Sequence, residues 1–252
     1  MSSPAGNIEA TSRFKGYSVQ NFNSIVHFDN VRERSDWLHE NASIFGSVIC
    51  KHGLHDVFGV GLVHKHFDLN PEEYLVRNYT TTRFSVSLGS ISSSDKLIPY
   101  MWRFDDQEYP AKLIPLEFVQ MTPRALALNN AHRAHYERRG TFFDEFYDLV
   151  KQHNAFATVA LVDLFQRDLF DMRKNESLYE STFERSRYIT LEVGASNGFH
   201  QESHQKSVRT GWWFTPSQAD LVNVLCMSHC YAHCQHKEEE ESNVNSGRQR
   251  ET

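Results

Sequence analysis

A chain of 252 residues can bury a large core without help from disulfides or a structural metal. Its 26 Lys and Arg against 32 Asp and Glu give a formal charge of −6, which argues against a nucleic-acid-binding surface as the main function. No apolar run approaches the roughly 18 to 20 residues of a membrane helix, and no charged-then-apolar leader opens the chain, so a soluble, cytoplasmic protein is expected.

Residues 1–13 are small and polar and residues 237–252 begin with a run of glutamates, Glu238 to Glu241. Both ends read as disordered. From Asn41, the apolar residues Ile44, Phe45, Val48 and Ile49 follow a helical period, and Lys51-His52-Gly53 supplies the basic last turn and the glycine that stop it. Residues 57–67 (VFGVGLVHKHF) suit a buried strand in which Gly59 and Gly61 allow a bulge or a close backbone approach. Asn70-Pro71-Glu72-Glu73 has the residues of a capping box and predicts a helix of a turn or two.

Residues 83–88, 98–104 and 113–119 alternate as strands, the second placing Tyr100, Trp102 and Phe104 on one face. Thr122-Pro123 opens a helix to about residue 139, and Thr141 opens a long one, with a wide apolar stripe running toward Leu169. Residues 188–193 read as another strand and Asn197-Gly198 as a hairpin turn. Thr215-Pro216-Ser217-Gln218 caps a final helix through Leu225. Strands and helices come in clusters, which predicts an α+β fold: a mixed or mostly antiparallel sheet packed against several helices. With no 20- to 50-residue repeat and no linker, residues 14–236 are expected to form a single domain.

The chain has 14 His, and 13% of its residues are aromatic, with Phe alone at 18. In residues 57–67, strand alternation puts His64 and His66 on one face. Such a pair can offer two metal ligands, with a third from His52, His55, Glu117 or His200, or it can act as a proton donor and acceptor beside a substrate. The plainer alternative is one hydrogen-bonded core histidine and one at the rim. Arg103 and Glu117 are charged residues within strand patterns. They could pair across neighbouring strands, either facing solvent or orienting a phenolate in a cavity.

The four cysteines, Cys50, Cys226, Cys230 and Cys234, read as reduced thiols or metal ligands rather than a disulfide framework. Cys226, His229, Cys230, His233, Cys234 and His236 look like a zinc site at first sight. The second pair of ligands is missing unless His200 and His204 supply it, so the run reads more simply as the buried stripe of a helix. The usual nucleotide, serine-hydrolase and metalloprotease signatures are absent.

HGLHDVFGVGLVHKHFDLNPEE, with the later IPYMWRF and IPLEFV segments and the Cys/His-containing end, resembles a group of small fungal proteins. Some of these are encoded in polyketide biosynthetic gene clusters, and the resemblance extends to the hydroalkoxylation cyclase of phenalenone biosynthesis. It covers most of residues 40–235 and implies cofactor-independent ring closure, in which a hydroxyl oxygen adds across an alkene of an aromatic polyketide. His64 and His66, with His55, would then divide the acid and base roles and Arg103 would stabilise phenolate charge. Tyr100, Trp102, Glu117 and His52 would contact the substrate, in a pocket closed by one chain or by a homodimer. No metal, nucleic acid or membrane enters that reading, and a zinc or iron enzyme using His64 and His66, or a non-catalytic binding module, are its alternatives.

Overall fold

The computed structural model describes residues 16–77, 82–87, 97–107, 111–137, 139–173, 175–183, 188–195, 207–217 and 221–231. The two ends expected to be disordered lie outside these residues, as do the Asn197-Gly198 turn, His200, His204, His233, Cys234 and His236. A short helix α1 (Val19–Asn23) is capped by the Ser18 hydroxyl, and α2 (Arg32–Lys51) follows a 3-10 turn at Phe28–Asn30. Helix α2 starts nine residues earlier than the periodicity from Asn41 suggests, because its buried stripe begins with Leu38 and continues through Ala42, Phe45 and Ile49. It ends as the sequence predicts, at a left-handed Gly53 (φ 64°).

Five strands follow: β1 (Phe58–Leu62), β2 (Glu73–Arg77), β3 (Thr82–Ser87), β4 (Leu97–Phe104) and β5 (Leu113–Gln120). Helices α3 (Pro123–Tyr136) and α4 (Gly140–Gln152) come next, then β6 (Val159–Asp163), α5 (Phe165–Leu169), β7 (Glu176–Phe183), β8 (Tyr188–Ala195), β9 (Ser207–Pro216) and β10 (Val222–Tyr231). The strands close into a barrel in the order β1-β6-β4-β5-β2-β3-β8-β7-β10-β9. Every seam is antiparallel except β2 with β5 and β7 with β10, so the fold is α+β with a mixed, mostly antiparallel sheet. No helix among the described residues is long and apolar enough to cross a membrane.

Three elements differ from the sequence reading. The long helix expected from Thr141 stops at Gln152, where Asn154 takes a left-handed φ of 50°. VALVD then forms β6 instead of continuing the helix. A short buried apolar run cannot be assigned by periodicity alone, and pairing with β1 and β4 decides it. The capping box at Thr215 likewise yields to the sheet: β9 runs through Pro216 and β10 bonds to β9 on one side and β7 on the other. At Asn70 only a turn forms. The Glu73 carboxylate accepts the Asn70 N–H at 2.5 Å, but Glu73 already belongs to β2.

The barrel has an internal two-fold pattern. A shift of 101 residues carries α2–β1 onto α4–β6, Gly53 onto Asn154, and the hydrogen bonds Leu54 N–H to Ile49 O and Phe58 N–H to Leu54 O onto those of Ala155 and Val159. The β1–β6 register maps onto itself: Phe58 faces Asp163 and Leu62 faces Val159. On the flanks, Val60 faces Trp212 of β9 as Leu161 faces Trp102 of β4. Even the bulges correspond, Met101 opposite Glu117 in one half and Gly211 beside Ser228 in the other. At 101 residues the repeat unit is about twice the longest period of common repeat architectures, and few side chains are shared by both copies.

Alternation then divides each strand. Val60, Leu161, Trp102, Phe104, Trp212 and Phe214 form one core with Phe45, Ile49, Phe142 and Phe146 of the covering helices. The other face, including Gly61, Tyr100, Met101, Val162 and Met227, lines the barrel interior. Gly59 serves a close approach rather than a bulge, since a Cβ there would lie 2.6 Å from the Trp212 carbonyl oxygen.

Candidate metal centre

Strand β1 ends at Leu62, and the next residues are held by the segment before α2. Lys65 N–H bonds to the Val26 carbonyl at 3.0 Å, Phe28 N–H to the Lys65 carbonyl at 2.8 Å, and His27 Nε2 donates to the His66 carbonyl at 2.8 Å. This fixes the extended backbone that turns His64 and His66 to the same side, as their spacing predicts. Both rings are buried, and Phe28 stacks on His66 with centroids 4.9 Å apart. His64 Nδ1 lies 2.8 Å from the Leu62 carbonyl, so it carries the proton and leaves the Nε2 lone pair pointing inward. His66 Nδ1 lies 2.7 Å from the Thr182 hydroxyl, which orients its Nε2 toward the same point.

The two Nε2 atoms are 3.2 Å apart. From the other half of the barrel, the parallel pair β7–β10 sets Glu180 beside Cys230. Cys230 Sγ lies 3.5 Å from His64 Nε2 and 2.9 Å from Glu180 Oε2, which is itself 3.9 Å from His66 Nε2. All four donor atoms lie within 4.8 Å of one another and all four residues are buried. Zinc at ordinary bond lengths has tetrahedral edges of about 3.3 Å between nitrogens and about 3.6 Å between nitrogen and sulfur. The His64–His66 and His64–Cys230 separations match these, and a small swing of the Glu180 carboxylate away from sulfur and toward His66 would even out the Glu180–Cys230 and Glu180–His66 separations. Thiolate, carboxylate and two neutral imidazoles around a dication sum to zero charge, which is what a buried site requires.

No family model, no curated protein and no solved structure matches this chain.

The remaining residues singled out in the sequence are dispersed. His52 caps α2 and bonds Glu145 Oε2 at 2.8 Å, and His55 lies 3.5 Å from Asp56; neither ring joins the His64–Cys230 group. Arg103 and Glu117 do not pair, because the β4 bulge puts Met101 opposite Glu117 and Arg103 opposite Ile114. The same bulge separates Tyr100 from Trp102. Tyr100 faces the interior and donates its hydroxyl hydrogen bond to Glu117 Oε2, while Trp102 turns into the helix-facing core. A cavity of about 20 Å³, room for one water, lies between His64, Tyr100, Glu117, Gln166, Glu180 and Ser228.

Glu180 was not among the sequence candidates, since nothing in NESLYESTF distinguished an inward Glu from a solvent-facing one. Cys230 belongs to the Cys/His run, whose helical pattern points to His200 and His204 as partners rather than to His64 and Glu180. As a strand, the run splits: Cys226 Sγ pairs with His229 Nε2 at 3.2 Å, and the His229 ring stacks on Tyr179.

A second buried cluster ties α3 to the barrel. His132 Nδ1 donates to Asp163 Oδ1 at 2.5 Å and its Nε2 lies 3.6 Å from Asp168. Burial alone would lower the His132 pKa, but the bonds to Asp163 and Asp168 outweigh it and hold the imidazolium up to about 9. A folded-state value above the unfolded 6.5 means that this contribution to stability is complete below pH 6.5 and lost as pH rises through 9. Urea midpoints measured between these limits should fall in the parent protein. In His132→Asn that portion of the slope should be missing.

Proposed function

We propose that this protein is a zinc-dependent cytoplasmic enzyme whose ion is held inside the barrel by His64, His66, Glu180 and Cys230. The observation that carries this reading is the convergence of two imidazoles, a thiol and a carboxylate within 4.8 Å in a buried site. Imidazole, thiolate and carboxylate donors at tetrahedral spacing favour zinc, with ferrous iron as the nearest competitor. The Leu62 carbonyl and the Thr182 hydroxyl fix the two rings, and Thr210 Oγ1 lies 3.5 Å from the sulfur. Free thiols at Cys50, Cys226 and Cys230 agree with a reducing compartment.

Four protein donors would close a tetrahedral zinc, so catalysis would need one of them, such as the Glu180 carboxylate that borders the adjoining cavity, to yield its place to a water. Zinc would then supply Lewis acidity there, and Glu117, oriented by Tyr100, would be the carboxylate placed to accept a proton in the same cavity. The second reading follows the fungal resemblance and needs no ion. His64 and His66 share a proton at 3.2 Å and act as the acid–base pair of a cyclase that adds a hydroxyl across an alkene of an aromatic polyketide. Among the described residues the cavity beside them admits a water rather than a fused-ring substrate, which favours the metal.

Elemental analysis separates the two. Protein purified without chelator from zinc- and iron-supplemented medium is expected to hold about one zinc per chain, and His64→Ala and Cys230→Ser about none. A folded parent protein free of transition metal would reject the zinc enzyme and leave the histidine pair.

A further inference from the structure

A pocket of about 380 Å³, within the range of small-molecule sites, lies between the start of α2 and the β9–β10 pair, and its lining is mostly polar. Arg32, Ser35 and Asp36 reach it from α2, Ser207 and Arg209 from β9, and His229 from β10. The Ser35 hydroxyl donates to the Arg209 carbonyl at 2.7 Å, which ties the two walls together. Arg209 and His229 are register partners across β9 and β10, so both stand on the face that carries the pocket. Two guanidiniums from separate elements therefore meet here, and among the described residues neither Arg32 nor Arg209 makes an ion pair. Asp36 follows Arg32 by four residues, the spacing at which Arg133 closes on Glu137 at 2.8 Å, but the aspartate is one methylene shorter and does not close.

We propose that this pocket binds a phosphate monoester of a small polyol, a sugar phosphate being the class that fits its walls. Two arginines offer planar donor forks that match phosphate oxygens through charge-assisted paired bonds. Asp36, in the same lining, is an acceptor-only carboxylate and suits the hydroxyl groups of a polyol, which a bare anion lacks. The mostly polar walls offer little to an aromatic ligand. The charge of Arg209 acts on its surroundings. Burial lowers the His39 pKa, and Arg209 lowers it further, against the weaker opposing pull of Asp36 and Glu40. Arg32, Asp36 and Arg209 are all exposed, so each can be replaced with little effect on stability. None of His64, His66, Glu180 and Cys230 lines the pocket, so the proposal stands apart from the metal.

The test is calorimetric titration of the full chain with ribose 5-phosphate, ribose and inorganic phosphate, at low ionic strength in a phosphate-free buffer. Ribose 5-phosphate is expected to bind with Kd below about 1 mM, at least about tenfold more tightly than either of the others. Arg32→Gln and Arg209→Gln should each weaken it at least about tenfold, the worth of one charge-assisted bond. Asp36→Asn should weaken ribose 5-phosphate but not inorganic phosphate, because it takes an acceptor from the hydroxyls and a repulsion from the anion. Affinity should survive treatment of the protein with a chelator. Four results would each overturn the proposal: no measurable binding of ribose 5-phosphate, equal binding of inorganic phosphate, unchanged binding in both arginine variants, or binding lost on chelation. The second would leave a simple anion site and the last a ligand on the ion.

Discussion

Chelated protein returned to zinc at a thousandfold excess over its dissociation constant is expected to gain about 4 kcal/mol of stability by mass action on the folded state. For a chain of this length that raises the unfolding midpoint by roughly 8 to 16 °C. The gain has a structural origin. Two imidazole Nε2 atoms 3.2 Å apart and a buried carboxylate converge on one point, where a bound dication would be ligated by all of them together. Cys230→Ser removes the softest donor and Glu180→Gln removes a charge, and both should flatten the response in differential scanning calorimetry. Cys50→Ser, a half-buried thiol outside the group, should keep it. An equal zinc response in the parent and in Cys230→Ser would place the ion elsewhere on this histidine-rich chain.

Phe146→Ala is expected to cost about 3 to 5 kcal/mol, the range for emptying a fully buried aromatic site. Phe146 is 0% exposed, with its ring 5.7 Å from Phe45, 5.6 Å from Phe104 and 5.7 Å from Phe142. Phe45 is its counterpart under the 101-residue shift, so the contact joins the two halves where their helices meet. Removing either ring leaves a cavity that the other cannot fill without leaving its own rotamer. Urea unfolding would measure the loss. Ile44→Ala, one residue from Phe45 but 37% exposed, should stay within about 0.5 kcal/mol of the parent. A Phe146→Ala variant as stable as Ile44→Ala would mean that the helical layer contributes little to holding the barrel closed.

Much of the local structure is legible in the chain. Alternation in RFSVSL, IPYMWRF, LIPLEFV and YITLEV marks β3, β4, β5 and β8, and Lys51-His52-Gly53 marks the end of α2. VALVD and the Cys/His run each carry a local pattern compatible with a helix, and each is drawn into a strand by hydrogen bonds on both of its edges, while the capping box at Thr215 is taken up by pairing with β10. The β4 bulge shifts alternation by one residue, so Tyr100 and Trp102 face opposite ways although their spacing puts them together.

The site divides in the same way. The sequence by itself placed His64 and His66 on one face, because side chains two residues apart on an extended backbone share a face whatever surrounds them. It also marked Cys230 as a residue with metal chemistry available to it. Only the tertiary structure decided the rest. Glu180 meets Cys230 through a parallel pairing across 50 residues, and Cys230 meets His64 across 166. Those encounters depend on the order in which ten strands close, and barrel closure leaves no periodic trace in any one segment. The same closure made Arg77 of β2 the counterpart of Glu180 of β7, so that one of two equivalent positions is a candidate metal centre and the other holds a guanidinium in place of the carboxylate.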